Sequence, residues 1–383
     1  MTNSQLLWLR KNLFSNWYNS LLTVICLVFL FWVVRGVITW ATTQAQWAVI
    51  QVNLRLFLVG RFPQTLYWRA WIVLAIASTL GAVTAGIFMT KQQFTKRGVA
   101  LFAFIVGLLL VILPLDLTSR LWLLLVAVLL FVAFWIGGSF SKVIAPWLSI
   151  VWLLSFPIIL WLIGGGFGLQ SVSTNLWNGL LLTLLMAAVS IVLSFPIGVL
   201  LALGRTSSLP VVRWFCILYI EIIRGLPLIG ILFLAQVMLP LFLPTDWRLD
   251  RVVRAIAGLV LFSAAYMAEN VRGGLQAIPR GQIEAANALG LNIPLAVILI
   301  VLPQALRAVI PAIVGQFIGL FKDTSLLSLV GLVELTGIAR SILAQPQFLG
   351  RYAEVYLFIG LIYWVFCYSM SLASRQLERQ LSN

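Results

Sequence analysis

Histidine is absent from this 383-residue chain, and acidic side chains are few: ten Asp and Glu against 25 Lys and Arg. Without histidine the chain lacks the commonest zinc ligand and the usual general base at neutral pH. Cysteine is almost absent too. Cys26, Cys216 and Cys367 stand far apart inside apolar runs, with no C-x-x-C pair, and read as small buried hydrophobes. None of the five lysines is followed by Ser or Thr. The G-x-x-x-x-G-K-[ST] loop that cradles phosphates is therefore missing, and ATP hydrolysis by this chain is not expected. Charge of either sign is sparse, at 9% of residues, where soluble domains carry about 25%. That excludes a water-soluble fold. The net charge of +15 would suggest nucleic acid in a soluble protein. Here the cations fall between apolar runs, so they read as topological signals and no nucleic-acid partner is expected.

What the chain has is apolar length: 62% of residues are hydrophobic and the mean hydropathy is +1.08. A spanning helix needs about 20 apolar residues. Runs of about that length lie near 21–40, 70–90, 98–115, 120–138, 146–164, 178–203, 214–243, 252–271, 295–320 and 353–373. The expectation is an all-α membrane protein of about ten transmembrane helices, within a range of eight to ten. The first run reads as a span rather than a cleavable signal, because no small-residue cleavage site follows a short apolar region. Arg10, Lys11, Lys91, Lys96, Arg97, Lys142, Arg205, Arg213, Arg272, Arg280, Arg375 and Arg379 then share one side, which places both termini in the cytoplasm. Arg55, Arg61 and Arg69 in the first external loop argue weakly against this. Residues 44–69 interleave those cations with Trp47, Phe57, Tyr67 and Trp68. They read either as an amphipathic segment in the membrane interface or as a solvated loop.

The acids divide the chain. Only Asp116 precedes position 200; the other nine lie between Glu221 and Glu378. A carboxylate at mid-membrane costs about 2.5–3.5 kcal/mol and is rarely idle. Residues 1–170 thus read as an apolar N-terminal extension, and 175–383 as the part that holds the machinery.

Residues 263–290 read SAAYMAENVRGGLQAIPRGQIEAANALG. An apolar helix is expected to end near Val271, ahead of the breakers Gly273, Gly274, Pro279 and Gly281. A short helix follows over Gln282–Leu289, with Gly290 as its C′ stop. Its alanines at 285, 286 and 288 make a slim rod, and Ile283 and Leu289 offer apolar anchors. Such a helix fits a groove on a partner, or packs on its own bundle as a plain connection.

The spacing Glu284-Ala285-Ala286, Gly290, Ile300, Leu302-Pro303 resembles the EAA motif of ABC importer permeases. The runs Asn178–Leu184, Ala202–Arg205, Glu221–Pro227, Ala265–Glu269, Arg272–Gly274, Pro303–Ala305 and Lys322–Leu326 are similar to the polar-amino-acid permeases. The opening Trp8–Ser15 and the long apolar first part are similar to the larger subunits of general L-amino-acid importers. The resemblance implies a type I ABC importer fold, with a five-helix core over 175–383 and a coupling loop over 272–294. It implies that Gly281, Gln282, Glu284, Ala285, Ala286 and Gly290 dock onto a separate cytoplasmic ATPase. It also implies a bacterial inner-membrane location, an ATPase dimer that binds ATP and Mg, a second homologous permease subunit forming a heterodimer, and a periplasmic amino-acid-binding protein. No cofactor is expected in the chain itself, and no enzymatic activity.

Candidate groups along a substrate path are Glu221 with Arg224, Glu269 with Arg272, and Lys322 with Asp323. Each pair is as readily a local neutralisation of charge at a helix end. Pro196, Pro227 and Pro311 can open backbone groups toward a cavity, or merely kink a packed helix. A secondary transporter would need two similar halves, and none is visible. A membrane assembly protein would need no EAA spacing.

Overall fold

The computed structural model describes residues 3–88, 106–107, 115–244 and 249–381. The expected span at 98–115 lies almost wholly outside these, as do Lys91, Lys96, Arg97 and Asp246. Among the described residues eight helices are long and apolar enough to cross a membrane, and nine if one bent pair counts as a span.

The chain divides into two compact units, Met1–Ile50 and Gln51–Asn383. The first holds α1 (Asn3–Asn12) and α2 (Trp17–Thr43). No residue of α2 is buried, and apolar side chains cover it all round, from Leu21 to Ile38. A helix of that kind faces lipid or a neighbouring helix rather than water. Just beyond it, the Trp47 indole donates to the Ala41 carbonyl at 2.8 Å.

A 12-residue helix, α3 (Ala48–Val59), runs across the division. It is too short to span. The second unit continues with α4 (Tyr67–Phe88), α5 (Leu117–Ser139) and α6 (Ser141–Gly164). In α4 and α5, Gly86 lies against the Phe134 carbonyl and Gly137 against that of Val83, too close for a Cβ at either. Small residues at a crossing are how membrane helices gain contact without a hydrophobic driving force. Arg69 is 2% exposed and donates to the Gln170 carbonyl at 2.7 Å. Phe57 meets Phe358 edge to face, with centroids 5.0 Å apart.

The core follows: α7 (Gly179–Arg205), α8 (Pro210–Gly225), α9 (Leu228–Phe242), α10 (Arg251–Ala277), α11 (Gly281–Ala288), α12 (Ile293–Val330), α13 (Leu335–Leu343) and α14 (Tyr352–Leu381). With α8 and α9 counted together this makes five spans. Apolar packing fills both ends. Leu182, Leu232, Leu259 and Leu327 meet at one, and Ala202, Ile220, Met267 and Ile313 at the other.

Three expectations need correction. The run 214–243 is not one straight span: α8 and α9 meet at 104°. Leu226 is extended there, at φ −100° and ψ 141°, as the residue before a proline must be when Pro227 excludes the helical conformation. Second, α10 does not end near Val271. It runs through Gly273 and Gly274 to Ala277. Gly274 serves packing, since a Cβ there would stand 2.6 Å from the Ala305 carbonyl of α12. Third, Pro196 and Pro311 lie inside continuous helices. Pro146 and Pro157 likewise lie inside α6, whereas Pro240 and Pro303 each follow a π turn. Leu234–Met238 precedes Pro240, and Val297–Val301 precedes Pro303. A proline offers no N–H to the carbonyl four residues back, and a widened turn removes the mismatch.

Candidate functional site

The short helix α11 projects from the junction of α10 and α12. Its C-terminus is closed by backbone geometry that only glycine adopts at low cost. Gly290 sits at φ +83°; its N–H bonds the Asn287 carbonyl at 3.0 Å, and that of Leu291 bonds the Ala286 carbonyl at 3.1 Å. These are the paired bonds of a Schellman stop. Asn292 then caps α12 by accepting from the Leu295 N–H at 3.0 Å.

One side of α11 is anchored. Ala286 is 1% exposed, and the Gln282 side-chain Oε1 accepts from the Gln304 side-chain amide on α12 at 3.4 Å. The other side is open: Glu284, Ala285, Ala288 and Leu289 are exposed, Leu289 by 82%. The helix therefore packs on its own bundle along one face and leaves the other uncovered. Ala286 belongs to the packed face and is not presented outward.

A charged cluster forms where α7, α8 and α10 converge. Glu269 of α10 is its centre. Arg272 grips it with two nitrogens, Nε to Oε1 at 3.0 Å and Nη2 to Oε2 at 2.8 Å. Arg205, the last residue of α7, reaches Oε1 at 3.0 Å and also Glu221 of α8 at 2.9 Å. Arg224 of α8 stands 3.4 Å from Oε2 and 5.6 Å from the Tyr266 ring centroid. Three guanidiniums thus share two carboxylates. Of the expected pairs only Glu269–Arg272 forms. Glu221 turns to Arg205 instead of Arg224, because on α8 the two side chains point to different neighbours. Lys322 is exposed and Asp323 half-buried, and no ion pair joins them among the described residues.

Sequence reasoning treated Arg205 as a family-like position without assigning it to the site. It also passed over Glu334. This carboxylate is fully buried at the opposite end of the core. It caps α13, accepting from Thr336 N at 2.9 Å and Gly337 N at 3.0 Å. Tyr363 of α14 donates to it at 3.1 Å, and Thr183 of α7 lies within 3.5 Å. Burial pushes its pKa up to about 7, against the donors that pull it down. Its signal in sequence was faint, since helix caps are usually Ser, Thr, Asp or Asn.

Comparison with known proteins can now be set beside this geometry. Residues 194–383 match the family described as the binding-protein-dependent transport system inner membrane component. The inner membrane amino-acid ABC transporter permease protein YhdY of Escherichia coli is 38% identical over 381 residues, covering 98% of this chain and 93% of that protein. The chain belongs to the ABC transporter permease family.

A second relative of this permease is the glutamate/glutamine/aspartate/asparagine transport system permease protein BztC of Rhodobacter capsulatus. It is 35% identical over 416 residues, again covering 98% of this chain and 93% of that one. A chain from a crystal structure of an amino acid ABC transporter with histidines aligns over 53% of the permease and 92% of its own length, at 32% identity and a TM-score of 0.48. The permease is thus a multi-pass inner-membrane protein, and its matched family region begins within α7 and runs through the core.

Proposed function

We propose that this permease forms part of the path by which L-amino acids enter the cell, and that it draws its energy from a separate ATPase dimer through α11. The observation that carries the reading is the two-sided build of that helix. Ala286 and Gln282 hold it to the bundle, while Glu284, Ala285, Ala288 and Leu289 stand free. An anchored rod with a free, narrow face transmits a push from a partner into the helices it continues. Gly281 and Gly290 bound the rod, and Gly290 gives it a sharp stop. The absence of a phosphate-cradling loop agrees with ATP and Mg being held by the partner.

Amino acids as substrate follow from the relatives, whose printed functions are amino-acid transport. The rest of the assembly is a second, non-identical permease subunit and a periplasmic amino-acid-binding protein. Both termini lie in the cytoplasm, on the side of α11. Lys322 and Asp323, which form no direct ion pair among the described residues, are charged groups that could meet a zwitterion along the path.

The test is Glu284→Lys in the tagged full-length chain, co-expressed with its neighbours. The expected result is loss of the co-purifying ATPase and of substrate-stimulated hydrolysis. A complex that assembles and hydrolyses as wild type would overturn the docking role of α11. Mass spectrometry of the wild-type complex identifies the partner subunits.

A further inference from the structure

The charge cluster centred on Glu269 lies outside the docking helix but is wired to it. Arg272 donates to the Gln276 side chain at 2.9 Å. Gln276 is next to the last residue of α10, and α11 starts four residues beyond Ala277. From the other direction, Gln282 of α11 meets Gln304 of α12. One residue on, Ala305 of α12 touches Gly274 of α10 through its carbonyl. A displacement of α11 therefore reaches α10 by two routes, and both arrive within a turn and a half of Glu269.

At Glu269 the three helices α7, α8 and α10 are joined by one carboxylate. Its contacts are graded. Arg272 is on the same helix and bidentate, so it travels with Glu269. Arg205 is shared with Glu221, so it holds α7 to both α8 and α10. Arg224 has the longest contact at 3.4 Å and the most exposed of the three arginine side chains, at 36%. With two carboxylates for three cations, one guanidinium is always in surplus. Such a cluster can exchange partners without leaving an acid unpaired, which a one-to-one pair cannot do.

We infer that Glu269, with Arg205 and Arg224, is a charge lock on the inner end of the path, released when α11 is displaced by the ATPase. Glu269 is then a positioning residue and not a substrate ligand. Release begins at Arg224, which keeps its contact with the Tyr266 face, while Arg205 retains Glu221. The inference rests on α11 being the docking helix, and it makes a different prediction from that reading alone.

The experiment uses the assembled complex in nanodiscs, reading basal and substrate-stimulated ATP hydrolysis. Glu269→Gln keeps the size of the side chain and removes its charge. The complex is expected to assemble as wild type, with basal hydrolysis raised several-fold and the stimulation ratio reduced to near one. The paired exchange Glu269→Arg with Arg205→Glu is expected to recover part of the stimulation lost by either change alone. A Glu269→Gln complex with wild-type stimulation overturns the lock. So does a loss of assembly, or a fall of basal and stimulated rates by the same factor, since either is what a merely structural carboxylate would give. Failure of α11 as the docking helix is read separately, from Glu284→Lys, which acts on assembly.

Discussion

Two carboxylates mark the two ends of α7, and they are held in opposite ways. Near Gly179, Glu334 is fully buried and surrounded by neutral donors: two backbone N–H groups, a tyrosine and a threonine. Near Arg205, Glu269 keeps 15% of its side-chain surface and sits among three guanidiniums. Neutral donors fixed on three elements make Glu334 a rigid node, because its donors have no second acid to turn to. Long cationic side chains, three for two carboxylates, make the contacts of Glu269 exchangeable in the lock inferred above. A transporter needs both properties, a fixed end and a movable one, and here they occupy opposite ends of one helix.

The comparison breaks most readily at Glu334. Replacing it by alanine removes the α13 cap, worth about 0.5–2 kcal/mol, and orphans buried hydroxyls at about 1–3 kcal/mol. A loss of about 3 kcal/mol is expected, seen as a clear fall in the midpoint of thermal unfolding in detergent. Retention of wild-type stability would mean that this end is not the rigid one.

The pH dependence sharpens the contrast. Glu334 has a folded pKa of about 7, above its ordinary value of 4.5. A raised carboxylate favours the protonated folded form, so its burial costs little below pH 4.5. The folded state loses stability as pH climbs from 4.5 to 7 and levels off above, a change of about 3 kcal/mol. Glu334→Gln should flatten that slope in a melting series.

Next in size is Gly274→Val. Its side chain meets the Ala305 carbonyl, and overpacking of this kind costs typically 1–3 kcal/mol. Thermal unfolding should fall accordingly, and the α11 region should gain hydrogen exchange, because α10 and α12 can no longer close behind it. The smallest effect is expected for Gly290→Ala, about 1 kcal/mol for placing a side chain at φ +83°. It should loosen α11 locally, measured by exchange of the Leu291 amide, while Glu269 and Glu334 keep their partners.

Much of this was legible in the residues. Apolar runs located the spans because lipid demands an internally bonded backbone of fixed length. Gly290 announced the end of α11 because its backbone conformation is a local property. The EAA spacing pointed to the family on its own. Less legible were Gly273 and Gly274, which look like breakers yet sit inside α10. A neighbouring helix supplied the reason for Gly274, and nothing in the local chain could show it. The 104° bend was half visible, in Pro227 but not in its angle.

The sequence by itself determined what the chain is made for: a membrane location, a set of spans, a short helix with a glycine stop, and no phosphate loop. These depend on composition and on spacing within a few turns. Only the tertiary structure decided which charges meet. Arg205, Glu221 and Glu269 are separated by 16 and 48 residues along the chain. No local rule pairs Glu221 with Arg205 rather than with Arg224. The packing of α7, α8 and α10 does so, because in a medium that solvates charge poorly each side chain goes to the counter-charge its helix can bring within 3 Å.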